Sequence, residues 1–254
     1  MDLAIIGGTG LYDPGVLDEP RALVASTPYG TASLFVGRRG EHEVAFLARH
    51  GTDHGVPPHR VNYRANIWAL RQIGVRRIVA TAAVGSLRQA LPPGHVVLVD
   101  QFLDFTRGRP STFFDGPVQH TDMTEPYCPG LRGLLAQAAE RAGVPVTLGG
   151  TYVCTEGPRF ETPAEIRMFA AMGGDVVGMT GVPEVVLARE AGLHYAAIAI
   201  VTNYAAGISP SPLTHEEVVG VMSKNADALR AMCLDVAGRL SEAGPCGCEG
   251  GAKG

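Results

Sequence analysis

The sequence lacks the features of a membrane protein, a secreted protein or a dedicated nucleic-acid binder. Its longest apolar run, near residues 195–201, is far shorter than the roughly 20 residues that span a bilayer. Only 18% of its 254 residues are charged and the formal net charge is −4, so no basic excess would attract nucleic acid or a membrane surface. No basic or long apolar leader precedes the first strand-like segment, residues 3–6. We therefore expect a soluble, cytoplasmic protein that binds neither nucleic acid nor membrane.

A disulfide framework is also not indicated. The five cysteines are an odd number at scattered positions: Cys128, Cys154, Cys233, Cys246 and Cys248. The last two flank Gly247 in a glycine-rich stretch, residues 244–254, which predicts a flexible tail after a domain at residues 1–243. A stabilising or redox bridge between Cys246 and Cys248 and a pair of exposed thiols both remain open. A zinc site would need ligands that the tail does not supply, so we expect no metal site.

What the sequence does contain is an alternation of apolar runs and helical patterns. Several of the apolar runs are continuous, as in strands that are covered on both faces. Predicted strands are residues 3–6, 32–36, 44–48, 77–82, 95–99, 147–154, 176–179 and 195–201. Predicted helices are residues 61–73, 131–141, 164–172, 183–191 and 215–240. This alternation predicts a single α/β domain with a central mixed, largely parallel β-sheet flanked by helices.

A glycine-rich turn, Gly7-Gly8-Thr9-Gly10, follows the first predicted strand. It does not match the dinucleotide fingerprint Gly-x-Gly-x-x-Gly, because the last glycine of that pattern, counted from Gly8, is replaced by Asp13. It does not match the phosphate-binding loop of nucleotide hydrolases either, because no Gly-Lys-Ser/Thr sequence follows. Backbone N–H groups and the Thr9 hydroxyl could still bind a phosphate. A turn with only a structural role is the alternative.

Arg49-His50-Gly51 ends another predicted strand. The forked donors of arginine suit a phosphate, and His50 could add one more. Two alternatives remain open at this stage. One is a surface loop rich in histidine, and the other is a metal site formed by His50, Asp53, His54 and His59.

Two further strand ends carry small or hydroxyl-bearing residues. The segment Thr81-Ala82-Ala83-Val84-Gly85-Ser86 would allow a ligand to approach the backbone closely, or would simply allow tight helix packing. At Gly178–Glu184, a turn leads into a helix, and the Thr180 hydroxyl would face any anion at the helix start. A capped helix is the alternative there. No Gly-x-Ser-x-Gly sequence occurs, so a serine hydrolase is not supported.

Two pairs of residues, Phe160-Glu161 and Thr202-Asn203, would suit opposite edges of one flat ring. A 6-oxopurine has a hydrogen-bond donor at N1–H and acceptors at O6 and N7. The carboxylate of Glu161 could accept from N1–H, while the amide of Asn203 could donate to O6 and N7. Such a pocket would reject a ring of the opposite polarity, since buried polar groups would be left unpaired.

Seven motifs in consistent order over about residues 1–240 closely resemble those of the trimeric purine nucleoside and methylthioadenosine phosphorylase family. They are Gly-Gly-Thr-Gly-Leu at 7–11, Arg-His-Gly at 49–51, Val-Asn-Tyr-Arg-Ala-Asn at 61–66, Gly-Ser-Leu at 85–87, Asp-Gln-Phe at 100–102, Glu-Gly-Pro-Arg-Phe-Glu-Thr at 156–162, and Met-Thr-x-x-Pro-Glu-Val-Val-Leu-Ala-Arg-Glu at 179–190. The resemblance implies a nucleoside phosphorylase-like fold, a homotrimer or a dimer of trimers, and reversible phosphorolysis of a purine nucleoside. Inorganic phosphate would be a co-substrate, with no other cofactor and no metal.

The resemblance also implies roles for individual residues. Phosphate would be held by Thr9, Arg49, His50, Thr180 and the backbone of Ala82 and Ala83. The nucleoside would be bound by Phe160, Glu161, Met179, Asn203, Tyr204, Ala205 and His215. Asn203, His50 and Thr180 would take part in catalysis.

Specificity is where the sequence departs from the methylthioadenosine phosphorylases. Those resemble one another in carrying aspartate at the positions of Asn203 and Ala205. Asparagine at 203 and the match of His215 to a residue that binds a 5′-hydroxyl imply 6-oxopurine nucleosides: inosine, guanosine, or S-methyl-5′-thioinosine. A methylthioadenosine phosphorylase is the alternative, with a hydrolytic nucleosidase and a non-catalytic nucleoside-binding protein as further ones. His215 could also serve only as the start of a helix.

Overall fold

The computed structural model describes residues 1–7, 17–208 and 214–248, with the backbone alone at residues 215 and 217. Eleven strands lie within these ranges: β1 Leu3–Gly7, β2 Asp18–Thr27, β3 Gly30–Arg39, β4 His42–Ala48, β5 Arg77–Ser86, β6 Val96–Leu98, β7 Gln101–Phe105, β8 Val146–Leu148, β9 Thr151–Thr155, β10 Val176–Gly178 and β11 His194–Tyr204. The described helices are α1 Tyr63–Gln72, α2 Pro129–Ala142, α3 Pro163–Ala171, α4 Gly181–Glu190 and α5 His215–Ala237.

The strands form one mixed sheet. Its main order is β2-β3-β4-β1-β5-β10-β9-β7, and β11 joins β5 to β6, which pairs in turn with β8. Neighbours β4, β1, β5 and β11 are parallel, whereas β2, β3 and β4 form an antiparallel meander. The predicted fold class, an α/β domain with a mixed, largely parallel sheet, is confirmed.

Both faces of the central strands are buried, which explains why their sequences are continuously apolar. In β1, Ala4 and Ile6 enter one hydrophobic cluster with α1 and α4. Leu3 and Ile5 enter a second cluster, on the opposite face, with α2 and α5. Successive side chains of a strand point to opposite faces, so each strand supplies both cores. Among the described residues, no helix is long and apolar enough to cross a membrane.

One edge of β5 is shared by two strands, and this arrangement positions the site. β1 pairs with β5 only up to Ala80, and β10 pairs with it antiparallel only from Gly85. Between these two registers, no described strand pairs with residues 81–84 on that edge. Because β10 runs against β5, its carboxyl end leads back toward this gap. Residues 178–180, which follow from β10, therefore enter the same space as the middle of β5.

Three strand predictions differ from the structure. The run predicted as one strand at residues 147–154 is two strands, β8 and β9. Gly149 separates them with φ +88°, and a Cβ there would lie 2.8 Å from Asp100 Oδ2. β2 was not predicted, because most of its residues are exposed and polar. β7, at one end of the main strand order, was also missed, because its sequence is not a continuous apolar run. The five predicted helices all occur, with ends shifted by a few residues.

The segment predicted as a flexible tail is described as far as Cys248, and these residues pack against the domain. Cys248 is only 1% exposed and belongs to the cluster formed by α2 and α5. The remaining residues, 249–254, lie outside the described ranges. The division into a domain at 1–243 and a tail stays a prediction.

Candidate active site

A cavity of about 910 Å³ lies where the carboxyl ends of several strands meet. Its walls come from the ends of β4, β5, β9, β10 and β11 and from one face of α5. Ligand sites in open α/β sheets form at such strand ends. The sequence-predicted residues that line it are Arg49, His50, Ala82, Ala83, Phe160, Glu161, Met179, Thr180, Asn203 and Ala205.

Arg49 is held by a buried carboxylate. Its Nε and Nη2 donate to the two oxygens of Glu184 at 2.7 Å each, and Nη1 donates to the Thr81 carbonyl at 2.9 Å. Both side chains are 1% exposed. Burial opposes the charge, yet Glu184 raises the pKa of Arg49 above its ordinary value. Two of the five guanidinium hydrogens remain for an anion. Arg49 is thus a permanent cation with a fixed orientation.

His50 acts differently from the sequence expectation of a second donor. Its Nδ1 lies 2.9 Å from the Val56 carbonyl oxygen, which can only accept, so Nδ1 carries the proton. Burial, and then the charge of Arg49, lower the pKa of His50. A neutral ring with a proton on Nδ1 presents Nε2 as an acceptor. His50 is therefore suited to accept from a protonated phosphate oxygen or a sugar hydroxyl.

Thr180 and the two alanines border the gap along β5. Thr180 precedes α4, is 7% exposed, and its side chain makes no capping bond to the helix. Its backbone N–H lies 3.3 Å from the Tyr152 hydroxyl. Ala82 and Ala83 carry side chains too small to fill the gap. These three residues and Arg49 all line the cavity, and this part of its wall is called the anion recess below.

Glu161 lies on another wall, where the Thr155 hydroxyl donates to its Oε1 at 2.6 Å. Burial raises the pKa of Glu161 above the ordinary glutamate value, and the Thr155 hydrogen bond opposes this only in part. Glu161 lines the cavity, and its Oε2 remains available as an acceptor. The pKa of Glu161 therefore depends on what it binds, because a hydrogen-bond donor would stabilise the charged carboxylate.

Asn203 has a fixed amide orientation. Its Nδ2 donates to the Tyr204 carbonyl at 2.9 Å, so Oδ1 must be the atom that lies 2.9 Å from the Thr202 hydroxyl. Only one Nδ2 hydrogen remains for a ligand. The sequence-based expectation of two donations, to O6 and N7, is therefore reduced to one.

Phe160 and Met179 supply apolar surface. Phe160 lines the cavity and is 41% exposed. Met179 packs against Gly157, where a Cβ would lie 2.6 Å from Met179 Sδ. Gly157 also has φ +65°, so two independent constraints favour glycine at this position. An exposed aromatic ring and a thioether that line one cavity suit a flat ligand ring and an adjoining sugar.

Three predicted residues are not placed in the cavity. Tyr204 does not line it, and its hydroxyl instead donates to the Gln89 carbonyl at 3.2 Å. Thr9 lies outside the described residues. His215 begins α5, but its side chain is not described, so the roles predicted for both residues stay predictions.

Arg109 was missed by the sequence reasoning. Its guanidinium, with a side chain only 2% exposed, donates to the carbonyl oxygens of Met179, Val182, Thr155 and Glu156 at 2.7–3.2 Å. It also contacts the Glu156 carboxylate and the Tyr63 hydroxyl. Arg109 thereby ties the loop after β9 to the loop after β10. It is a positioning residue, and no motif surrounds it that could have identified it.

One face of α5 was also missed as part of the site. Each successive turn of α5 contributes one or two residues to the cavity lining: Val218, Val219, Ser223, Ala226, Asp227 and Arg230. This is the periodicity of one helix face, so helical spacing was the available signal. The face is apolar toward the start of α5 and charged farther along.

The alternative metal site does not form. His50, Asp53, His54 and His59 do not converge, and Asp53 instead accepts from the Gly55 N–H at 3.1 Å. In the described ranges, the one group of three or more side chains with metal-ligand geometry lies elsewhere, at Cys128.

Comparison with known proteins gives the site a family context. A family model described as the phosphorylase superfamily matches residues 2–237. A relative from Dictyoglomus turgidum, named a probable 6-oxopurine nucleoside phosphorylase, is 54% identical over 100% of this chain and 97% of its own length. A relative from Methanothermobacter thermautotrophicus, named a probable S-methyl-5′-thioinosine phosphorylase, is 54% identical over 89% of this chain and 80% of its own length.

Among solved structures, the methylthioadenosine phosphorylase from Schistosoma mansoni in complex with adenine matches with a TM-score of 0.90. The match covers 94% of this chain and 91% of that chain at 37% identity. The names of these three proteins agree on phosphorylase activity toward purine nucleosides and differ in the base.

Proposed function

The chain belongs to the phosphorylase superfamily, and from this we propose that it catalyses the reversible phosphorolysis of 6-oxopurine nucleosides. It is a purine nucleoside phosphorylase, an enzyme of the pentosyltransferase class, and the resemblance indicated by its motifs is confirmed. Inosine and guanosine are the substrates, with S-methyl-5′-thioinosine as a further one of the same base class. The products are the free purine and ribose 1-phosphate or its methylthio counterpart, a reaction of purine salvage.

The observation that carries the base assignment is the polarity of the two cavity walls. Glu161 offers a carboxylate oxygen, which accepts the N1–H of hypoxanthine or guanine. Asn203 offers one N–H, fixed by its bonds to Thr202 and Tyr204. Adenine would instead present an acceptor at N1 and an amino donor at C6. A carboxylate facing adenine N1 would lose its hydrogen bond and remain partly buried.

The phosphate assignment rests on Arg49, Thr180 and the recess along β5. A phosphate oxygen attacks C1′ as the bond from C1′ to the purine nitrogen breaks, and the bonding electrons pass to the purine. Anionic phosphate beneath C1′ stabilises the cationic character of the sugar. The remaining N–H of Asn203, directed to N7 on the edge of the base that also carries the six-position, stabilises the negative charge on the purine. His50 accepts a phosphate or sugar proton through Nε2.

The apolar part of the α5 face supports S-methyl-5′-thioinosine as a substrate in addition to inosine and guanosine. Val218 and Val219 line the cavity one turn after His215, the residue that the resemblance assigns to the 5′ end of the sugar. A thioether would contact these valines, whereas a 5′-hydroxyl would bind His215. The alternative base class, methylthioadenosine, is disfavoured by Asn203 and Ala205, which replace the two aspartates of those enzymes.

We further propose a cytoplasmic homotrimer, with a dimer of trimers as the alternative assembly. The support is the family resemblance of the seven motifs. Phosphate is the second substrate, and the reaction requires no organic cofactor or metal. Light scattering distinguishes the two assemblies by mass.

The reaction type is tested by supplying inosine with phosphate and in a phosphate-free buffer. We expect hypoxanthine only in phosphate, together with an equal amount of ribose 1-phosphate, because phosphate is the nucleophile. Equal release of hypoxanthine without phosphate would identify a hydrolase. Binding of inosine with no product in either buffer would identify a nucleoside-binding protein.

The same assay separates the substrates. Methylthioinosine, guanosine and methylthioadenosine are compared with inosine by kcat/KM. If methylthioadenosine is cleaved faster than all three 6-oxopurine nucleosides, the protein is a methylthioadenosine phosphorylase, and the reaction type is unchanged.

A further inference from the structure

Four side chains with metal-binding atoms converge at the start of β11, the end of that strand opposite Asn203, and none of them lines the cavity. They are Cys128, His194, Cys246 and Cys248, and their ligand atoms all lie within 4.8 Å of one another. The phosphorylase reaction uses none of them. Three thiols and an imidazole at this separation need an explanation of their own.

The chain brings these residues together from three distant segments. His194 is the first residue of β11, and Cys128 directly precedes α2. The Cys128 N–H donates to the Tyr195 carbonyl at 2.7 Å, which fixes the start of α2 against the start of β11. Cys246 and Cys248 then arrive from the end of the chain.

A close backbone approach brings the chain end into place. Gly130, in the first turn of α2, packs so tightly on Gly244 that a Cβ would lie 2.5 Å from the Gly244 carbonyl oxygen. Ala243 and Cys246 pack against the cluster of α2 and α5. Glycine at position 130 therefore permits the contact that sets both cysteines beside His194.

The spacing of the ligand atoms fits a tetrahedral zinc ion. Zn–S bonds of about 2.3 Å and Zn–N bonds of about 2.0–2.1 Å place neighbouring S and N ligands about 3.6 Å apart. His194 Nδ1 lies 3.5 Å from Cys128 Sγ and 3.2 Å from Cys246 Sγ. The set also has the required composition, since three cysteines and one histidine form a known closed zinc site.

The burial of these side chains is typical of a structural metal site. Cys248 is 1% exposed, Cys128 is 2% exposed and His194 is 9% exposed. All four positions of a tetrahedron would be taken by protein atoms, so no position is open for a substrate or water. Soft thiolates with one imidazole favour zinc over magnesium, calcium or manganese.

We propose that Cys128, His194, Cys246 and Cys248 bind one Zn²⁺ ion that clamps the chain end to α2 and β11. On binding, the three thiols release three protons and His194 binds as the neutral imidazole through Nδ1. This differs from the sequence expectation of no metal, which considered only ligands within the tail. The site is independent of the proposed phosphorolysis.

The test measures metal content in untagged protein purified with a thiol reductant and equilibrated with zinc, followed by gel filtration. We expect one zinc per chain in the wild type, and less than a tenth of that in Cys248→Ser. Cobalt in place of zinc should give the visible bands and thiolate charge-transfer absorption of a tetrahedral cobalt site. Cys246→Ser, at a more exposed position, provides a second variant if Cys248→Ser fails to fold.

The matched control is Cys233→Ala. Cys233 is equally buried, in α5 and in the same hydrophobic cluster, but it is not among the four ligands. It should keep one zinc per chain. Wild-type protein without zinc, zinc retained in both tail variants, or cobalt protein without thiolate absorption would each overturn the proposal. A disulfide between Cys246 and Cys248 that persists in the reductant would overturn it as well.

Discussion

Replacing Arg49 with alanine should raise the KM for phosphate and lower kcat/KM at least tenfold, about 1.4 kcal/mol in transition-state terms. Arg49 is the permanent cation of the anion recess, and two of its N–H groups remain for phosphate after it binds Glu184 and Thr81. Steady-state kinetics with phosphate as the varied substrate measures this. Arg49→Lys should recover part of the loss, because it keeps the charge without the fork.

The same substitution should destabilise the fold by roughly 3–5 kcal/mol, because Glu184 would be left as a buried charge without its partner. Arg88→Ala is the matched control. Arg88 also pairs with a carboxylate, Asp175, at 2.6 Å, but its side chain is 61% exposed. Its loss should change the free energy of unfolding by about 0–1 kcal/mol. Chemical denaturation measures both. If the Arg49→Ala protein folds and its KM for phosphate is unchanged, Arg49 does not bind phosphate.

Replacing Asn203 with aspartate should lower kcat for inosine by about 10²–10³, the usual effect of removing one donor to a developing charge. The new oxygen would lie where Nδ2 now donates to the Tyr204 carbonyl at 2.9 Å. Two acceptors cannot share that contact unless the aspartate is protonated. A carboxylate here would accept from the amino group of adenosine and repel O6 of inosine, so the preference for inosine should shrink.

Asn203→Ala is the control for this substitution. It removes the donor without adding an acceptor, so inosine cleavage should fall while adenosine gains nothing. The measurement is kcat/KM for both nucleosides with each variant. An inosine-to-adenosine ratio that is the same in Asn203→Asp as in the wild type would show that residue 203 does not lie beside the N7 and six-position edge of the base.

The sequence predicted the parts of the site that are local in the chain. Arg49 and His50 follow β4, which runs in the same direction as β5. Thr180 follows β10, which runs against β5 and so ends beside the middle of that strand. Their partners could not be predicted in the same way. Glu184 lies 135 residues from Arg49, and Arg109 sits in an irregular polar segment. Their roles depend on tertiary contacts that leave no periodic signal.

The same reason explains two further differences. The Cys246-Gly247-Cys248 sequence did not indicate that Cys128 and His194 would lie beside it, because those residues are far away in the chain. Asn203 was expected to donate twice, because its sequence does not reveal the bond to the Tyr204 carbonyl. Composition and the alternation of apolar runs with helical patterns were sufficient to predict the fold class, because strands buried on both faces, such as β11, have continuously apolar sequences.

The central claim, that a partly buried carboxylate at Glu161 selects 6-oxopurines, is tested most directly by the ratio of kcat/KM for inosine and adenosine as a function of pH. At neutral pH, we expect inosine to be preferred by about 10⁴–10⁵, since the ring polarity matches only one base. As the pH falls, protonated Glu161 becomes a donor, and the preference should decline. Because burial raises its pKa, the decline should begin above the ordinary glutamate range, and Glu161→Gln should show no such decline. Equal cleavage of inosine and adenosine by the wild type, or a pH profile unchanged by Glu161→Gln, would contradict the assignment of Glu161.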